Sequence, residues 1–182
     1  MIQENISQSV TLPEGVSAAV SDGVLTVTGS KGSVSRNFLH PKITVHSKDN
    51  EVEFLAKKFT RNEKKVMNTY VAHVKNMCKG VTEGHEYTLK ICSGHFPMNV
   101  SVKGSSFEVK NFIGEAVPRV LELKEGADVK VNGDTITVTG IDKERVAQTA
   151  ASIEKLTRRN GFDRRIFQDG IYITNKDGKA IQ

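Results

Sequence analysis

A chain of 182 residues with 37% apolar content has material for one large core or two small ones, and its net charge of +5 favours a polyanionic partner. No apolar run approaches the roughly 18 residues a spanning helix needs, and the opening MIQENISQSV has neither the basic flank nor the apolar stretch of a secretion signal, so a cytoplasmic place is expected. Cys78 and Cys92 are too few for a disulfide framework and are expected to be free thiols in a reducing compartment.

In chain order the first strong signals are strands. GVLTVTGSKGSVSRNF (23–38) alternates apolar and polar residues around a glycine-rich turn, and KITVHSKDNEVEFLA (42–56) repeats the pattern around Asp49-Asn50. RNEKKVMNTYVAHVKNMCKG (61–80) then switches period. Its Val66, Met67, Tyr70, Val71, Val74 and Met77 recur every three or four residues, which predicts a helix with a core-facing stripe that stops in a basic turn at Gly80. KGVTEG (79–84) reads as a boundary, giving an N-terminal repeat over 1–82 and a C-terminal one over 83–182 that opens on the strand YTLKI.

Beyond that boundary the order recurs. SSFEVKNFIGEAVPRVLEL (105–123) parallels 23–38, DVKVNGDTITVTG (128–140) parallels 42–56 with its turn at Asn132-Gly133, and KERVAQTAASIEKLTRRNG (143–161) parallels the helix. Val27 falls on Val109, Gly32 on Gly114 and Arg61 on Arg145, at an offset that stays between 82 and 86 residues. A drift that small is what loop insertions and deletions leave in an ancestral duplication. The expected fold is α+β, two tandem duplicated domains, each an antiparallel sheet covered by one helix.

Charge divides the second half. Residues 83–154 carry eight basic against eleven acidic side chains, whereas 155–182 carry seven against three. That basic tail contains RRNGFDRRIFQDGIYITNKDGK (158–179), where Arg158, Arg159, Arg164 and Arg165 are interleaved with Phe162, Phe167 and Tyr172. Arginine forks onto phosphate oxygens and stacks on rings, so the mixture suits a nucleic-acid surface. The same string also reads as a basic helix end followed by a short strand that buries Phe167, Ile171 and Ile173.

Catalytic chemistry has few candidates. Cys78, His85, Cys92 and His95 lack the close paired spacing of a zinc site, and neither thiol has an orienting base beside it. His40, His46 and His73 stand singly. GSKG (29–32) lacks the spacing of a phosphate loop, and the pairs Glu51/Glu53 and Asp163/Asp169 lie in polar, cation-rich strings that give no sign of burial. No enzyme activity, cofactor, metal or small-molecule substrate is expected.

Three stretches, GVTEGHEYTLKICSGHFPMNV (80–100), NFIGEAVPRVLEL (111–123) and RIFQDGIYITNK (165–176), together resemble the family of the sixth protein of the large ribosomal subunit, in its archaeal and eukaryotic branch. The tail pattern of Arg165, Phe167, Asp169, Gly170, Ile171, Tyr172, Ile173 and Lys176 carries most of the specificity. The resemblance implies a protein that binds large-subunit ribosomal RNA near the stalk base and the sarcin-ricin loop, beside neighbouring ribosomal proteins and the docking region of translational GTPases, with no membrane partner. It carries RNA contact onto Arg158, Arg159, Arg164, Arg165, Lys176 and Lys179, and onto His95 and Phe96 in the GHFP turn. Phe167 and Tyr172 are equally RNA or core residues, and AKKFTRNEKK (56–65) is equally an RNA contact or a solvated face. The rival reading is a protein-interaction module that presents sheet edges without binding RNA directly.

Overall fold

Strand alternation decides the first half of the chain. In the computed structural model, which describes residues 3–48, 50–163 and 165–181, the chain divides into two compact units at Gly84 and His85. The first unit runs through β1 (Gln3–Thr11), β2 (Ser17–Ser21), β3 (Val24–Gly29), β4 (Gly32–Asn37), β5 (Ile43–Lys48), β6 (Glu51–Phe59) and α1 (Arg61–Thr82). These strands form two antiparallel sheets, ordered β1-β6-β5 and β2-β3-β4. Apolar residues two apart, Leu25 with Val27 and Val52 with Phe54, are fully buried. The stripe of α1 turns Met67, Val74 and Met77 inward, and Phe38 meets both Phe54 and Tyr70 edge-on at 5.8 and 4.9 Å.

Thr60 starts α1. Its hydroxyl accepts from the Asn62 N–H while Glu63 reaches back to the Thr60 N–H at 2.7 Å and to the Thr60 hydroxyl, a reciprocal capping box. Lys42 donates to the same carboxylate at 2.9 Å. The Thr60 hydroxyl first, then Lys42 and the Thr60 N–H, lower the Glu63 pKa from 4.5 to about 2. The helix ends two residues beyond the expected Gly80, which is buried inside it; the left-handed glycine that closes it is Gly84.

The second unit repeats this order with β7 (His85–Cys92), β8 (Asn99–Lys103), β9 (Ser106–Lys110), β10 (Arg119–Glu122), β11 (Asp128–Asn132), β12 (Thr135–Gly140) and α2 (Lys143–Leu156), then adds β13 (Gly170–Lys176) and β14 (Lys179–Ala180). Its sheets are ordered β11-β12-β7-β13-β14 and β10-β9-β8. β7, β12 and β11 thus occupy the places of β1, β6 and β5. Val27 and Val109, paired by the repeat, are both buried at matching positions of β3 and β9. One core gathers Leu89, Phe107, Phe112, Ile136, Val138, Ile153 and Ile171 under α2.

Two boundaries of the second unit also differ from expectation. The β11–β12 turn falls on Gly133-Asp134, one residue later than Asn132-Gly133, because Asn132 pairs with Thr135 and Gly133 takes the left-handed conformation. α2 stops at Leu156, short of 161. Thr157 ends it: its buried hydroxyl donates to the Glu154 carbonyl and accepts the Ile171 N–H at 2.9 Å, so the residue that closes the helix also seats the first turn of β13.

Candidate nucleic-acid interface

Three connections meet at one end of the second unit. β13 pairs Gly170 with Cys92, so the segment 157–169 arrives beside the β7–β8 loop (93–98), and β8 pairs Asn99 with Lys110, which brings in the β9–β10 turn (111–118). The turn is held in an unusual backbone: Asn111, Ile113 and Gly114 all have left-handed φ, at 58°, 48° and 74°. A branched residue adopts that conformation only where its surroundings impose it. Here Phe112 is buried in the core, the Asn111 amide donates to the Pro97 carbonyl at 3.0 Å, and Phe96 lies over Gly114.

Arg119 ties the turn to the tail. Its guanidinium forks onto Glu115 at 2.7 and 2.6 Å, donates to the carbonyls of Leu156 and Arg158 at 2.7 and 3.1 Å, and lies 4.4 Å above the Phe112 ring. With the side chain 22% exposed, it satisfies the carbonyls that the end of α2 leaves without partners. The Arg119 fork is the largest influence on Glu115; with the charges of Arg119 and Arg159 it outweighs partial burial and lowers the Glu115 pKa.

The arginines expected to act alike have separate surroundings. Arg158 is exposed, and its guanidinium makes no hydrogen bond or ion pair among the described residues. Arg159 sits 3.8 Å from Glu115 and 4.2 Å above the Phe162 ring. Arg165, 90% exposed, forks onto Asp163 at 2.7 to 3.2 Å, an arrangement that lowers the Asp163 pKa and raises its own. Arg164 lies outside the described residues.

Phe167, left open between RNA and core, is half-buried and stacks on the His95 ring with centroids 4.8 Å apart, while Phe162 meets it edge-on at 4.9 Å. Tyr172, half-buried, folds over Gly170, where any Cβ would press to 3.1–3.3 Å of its ring. Ile171 is fully buried and Ile173 partly so, as the short-strand reading anticipates. Between these groups lies a cleft of about 160 Å³ lined by Thr157, Arg158, Arg159, Phe162, Asp169 and Tyr172, among others. Phe96 stands partly exposed at the rim, as does His95.

Lys176 and Lys179 belong elsewhere. They face one another across the β13–β14 hairpin, six residues along β13 from Gly170, or roughly 20 Å at ~3.3 Å per residue. His85, fully buried at the start of β7, shares that end, with Nδ1 3.1 Å from Asp177. In the first unit Lys57, Arg61, Lys64 and Lys65 are exposed.

Asp169 overturns the expectation of a solvated carboxylate. It is buried and accepts hydrogen bonds from the Gly94 and His95 N–H groups at 2.7 and 2.9 Å and from the His95 ring at 2.5 Å. Glu115 and Arg119 also escaped notice, since an i,i+4 pair in an apparent loop carries no mark of the carbonyls it will meet. Asp169 had one signal, its place between the aromatic Phe167 and the apolar start of a strand.

Among the described residues no cluster of His, Cys, Asp or Glu could hold a metal. Cys78 is buried, which pushes its thiol pKa up, and Cys92 is half-buried; both are free. No described helix is long and apolar enough to cross a membrane.

A duplicated α+β scaffold whose second copy ends in exposed basic side chains on tied-down loops defines a class of tandem-repeat α+β proteins. The family described as Ribosomal protein L6 matches residues 12–84 and 96–170, one segment in each unit. Relatives named Large ribosomal subunit protein uL6 include that of Methanosarcina mazei, 43% identical over 97% of this chain and 99% of the relative. That of Ignicoccus hospitalis is 45% identical over 90% and 91%, and that of Methanospirillum hungatei 40% identical over 94% and 97%. The chain belongs to the ribosomal protein L6 family, whose members are large-subunit components of the cytoplasmic ribosome and not enzymes.

Proposed function

We propose that the chain binds large-subunit ribosomal RNA through the loop end of its second unit, near the stalk base and the sarcin-ricin loop, where it supports the surface on which translational GTPases dock. The observation that carries this is the rim itself. Arg158, Arg159 and Arg165 stand beside His95 and Phe96 on loops that Arg119, Glu115 and Asp169 fasten to the core. Folded RNA offers closely spaced phosphates, and a prearranged set of donors meets them without the entropic cost of ordering a free tail. Arg165 can share its fork with a phosphate cheaply, because an exposed ion pair contributes little. Phe167 and Phe162 already stack within the protein, on His95 and under Arg159, which leaves Phe96 as the exposed ring of the GHFP turn and arginine as the main source of contact.

The test is a salt series. Changing Arg158 and Arg165 to Gln in the full chain should keep the melting curve and weaken binding to a large-subunit RNA transcript that includes the sarcin-ricin region. The log–log salt slope should flatten by roughly 1.4 to 1.8, at about 0.7 to 0.9 per phosphate contact. An unchanged slope removes the reading. One observation favours protein contact at a neighbouring place: Val117 and Val120, at the edge strand β10, are exposed at 77% and 55%. Binding carried by that edge would change little with salt.

A further inference from the structure

We propose that Asp169 is a positioning residue for RNA recognition: it pins the 93–97 loop and holds the His95 ring with Nδ1–H turned inward, so that Nε2 is the atom presented to an RNA phosphate. The inference rests on the RNA-binding reading above and adds to it a defined atom and a proton.

The Asp169 carboxylate is 1% exposed, and its three hydrogen bonds all come from one dipeptide. Burial pushes its pKa up, but the His95 N–H, the His95 ring, the Gly94 N–H and the His95 charge together outweigh that and hold it below the ordinary carboxylate range. The carboxylate is therefore ionised near neutrality, and the shared proton sits on Nδ1. Phe167 covers one face of the ring at 28° from parallel. With one nitrogen engaged and one face covered, the ring has a single orientation. Its side chain is still 38% exposed, and Nε2 has no hydrogen-bond partner among the described residues.

Chemistry then dictates a linkage. A neutral ring that keeps its proton on Nδ1 carries a lone pair on Nε2, which repels a phosphate oxygen. Taking up one proton from water turns Nε2 into an N–H donor and the ring into a cation between two anions, Asp169 behind and phosphate in front. The surrounding charges are few. The 93–98 loop has no other charged residue; the 157–169 segment contributes Asp169, the paired Asp163 and Arg165 and, around the adjoining cleft, Arg158 and Arg159; α2 contributes Glu154, β13 Tyr172, the β9–β10 turn Glu115 and the start of β10 Arg119. RNA binding should therefore take up as much as one proton, with a ceiling of about tenfold in affinity per pH unit.

The experiment titrates the full chain with the same RNA transcript at fixed salt from pH 5.5 to 8, alongside nitrogen-15 histidine spectra of the free protein. Wild-type affinity should fall toward high pH, with a limit of about tenfold per unit, and level off at low pH once the free ring is itself protonated. His95→Gln should bind at the weak limit without that dependence, and His95→Lys should restore affinity and stay flat. Asp169→Asn keeps its amide oxygen on both N–H groups, loses the charge and turns its NH2 toward Nδ1; it should bind about five- to tenfold more weakly at pH 6, and its His95 signals should move from the Nδ1–H form to the Nε2–H form. A wild-type affinity independent of pH, or a free His95 carrying its neutral proton on Nε2, overturns the proposal, and both are read without any variant having to fold. RNA that fails to bind at every pH overturns the RNA reading instead, which the tautomer measurement on the free protein distinguishes.

Discussion

In the first unit β1 is an edge strand, bonded to β6 and to no other strand among the described residues; in the second its counterpart β7 lies between β12 and β13. The difference begins where each helix ends. α1 runs for 22 residues and passes through Glu83 and Gly84 into the next unit, whereas α2 stops after 14 and the chain turns back across 157–169 to lay β13 along the free side of β7. That return path carries Arg158, Arg159, Arg165 and Asp169. Duplication supplied the scaffold twice, and the arginines of the proposed interface lie in the segment that only the second copy has. An added strand covers an exposed edge and at the same time fixes a loop that would otherwise be a mobile basic tail.

The comparison breaks most sharply at Ile171, fully buried in β13. Ile171→Ala should cost about 2 to 4 kcal/mol and lower the urea midpoint of the second unit's transition in the full chain, while leaving the first unit's transition in place. A shift below about 0.5 kcal/mol would make β13 an appendage and not a member of the core.

Arg119 and Arg165 should separate architecture from contact. Arg119→Met removes the bonds to Leu156 and Arg158 and leaves Glu115 half-buried without its fork, so about 1 to 3 kcal/mol of stability should be lost. Arg165→Gln, at an exposed pair, should leave thermal melting unchanged and weaken RNA binding. If the two exchange these effects, the assignment of inner and outer arginines is wrong.

The smallest effect belongs to the first unit's helix cap. Glu63 ionises more readily in the folded state than in the unfolded one, its pKa lying near about 2 against 4.5. The stability it contributes is therefore fully present above pH 4.5 and is lost as pH falls through about 2. Glu63→Gln should make the first unit less stable at pH 7, and the gap should close on acidification. A gap that is constant with pH would mean that the cap acts by shape alone.

The duplication, both short hairpins, the existence of both helices and the family were legible in the sequence, because each is written in local spacing: period two in strands, three to four along α1, and a motif in consecutive residues of the tail. Val27 and Val109 could be paired by offset alone. Helix ends were less legible. Gly80 looks like a stop but sits in a buried turn of α1, and Thr157 looks like one more helical residue until its hydroxyl meets Ile171. What only the tertiary structure decided concerns partners far apart in the chain: Gly94 and Asp169 are 75 residues apart, and Arg119 reaches Leu156 and Arg158 across 37 and 39. Four arginines in one string look equivalent in sequence; the fold leaves the Arg158 guanidinium without a hydrogen bond or ion pair among the described residues, sets Arg159 over a ring, pairs Arg165 with Asp163, and moves Lys176 and Lys179 to the other end of a strand. The physical reason is that periodicity records which face of an element is apolar, whereas burial of a carboxylate and the choice of an ion partner depend on which loops the sheet registers bring together.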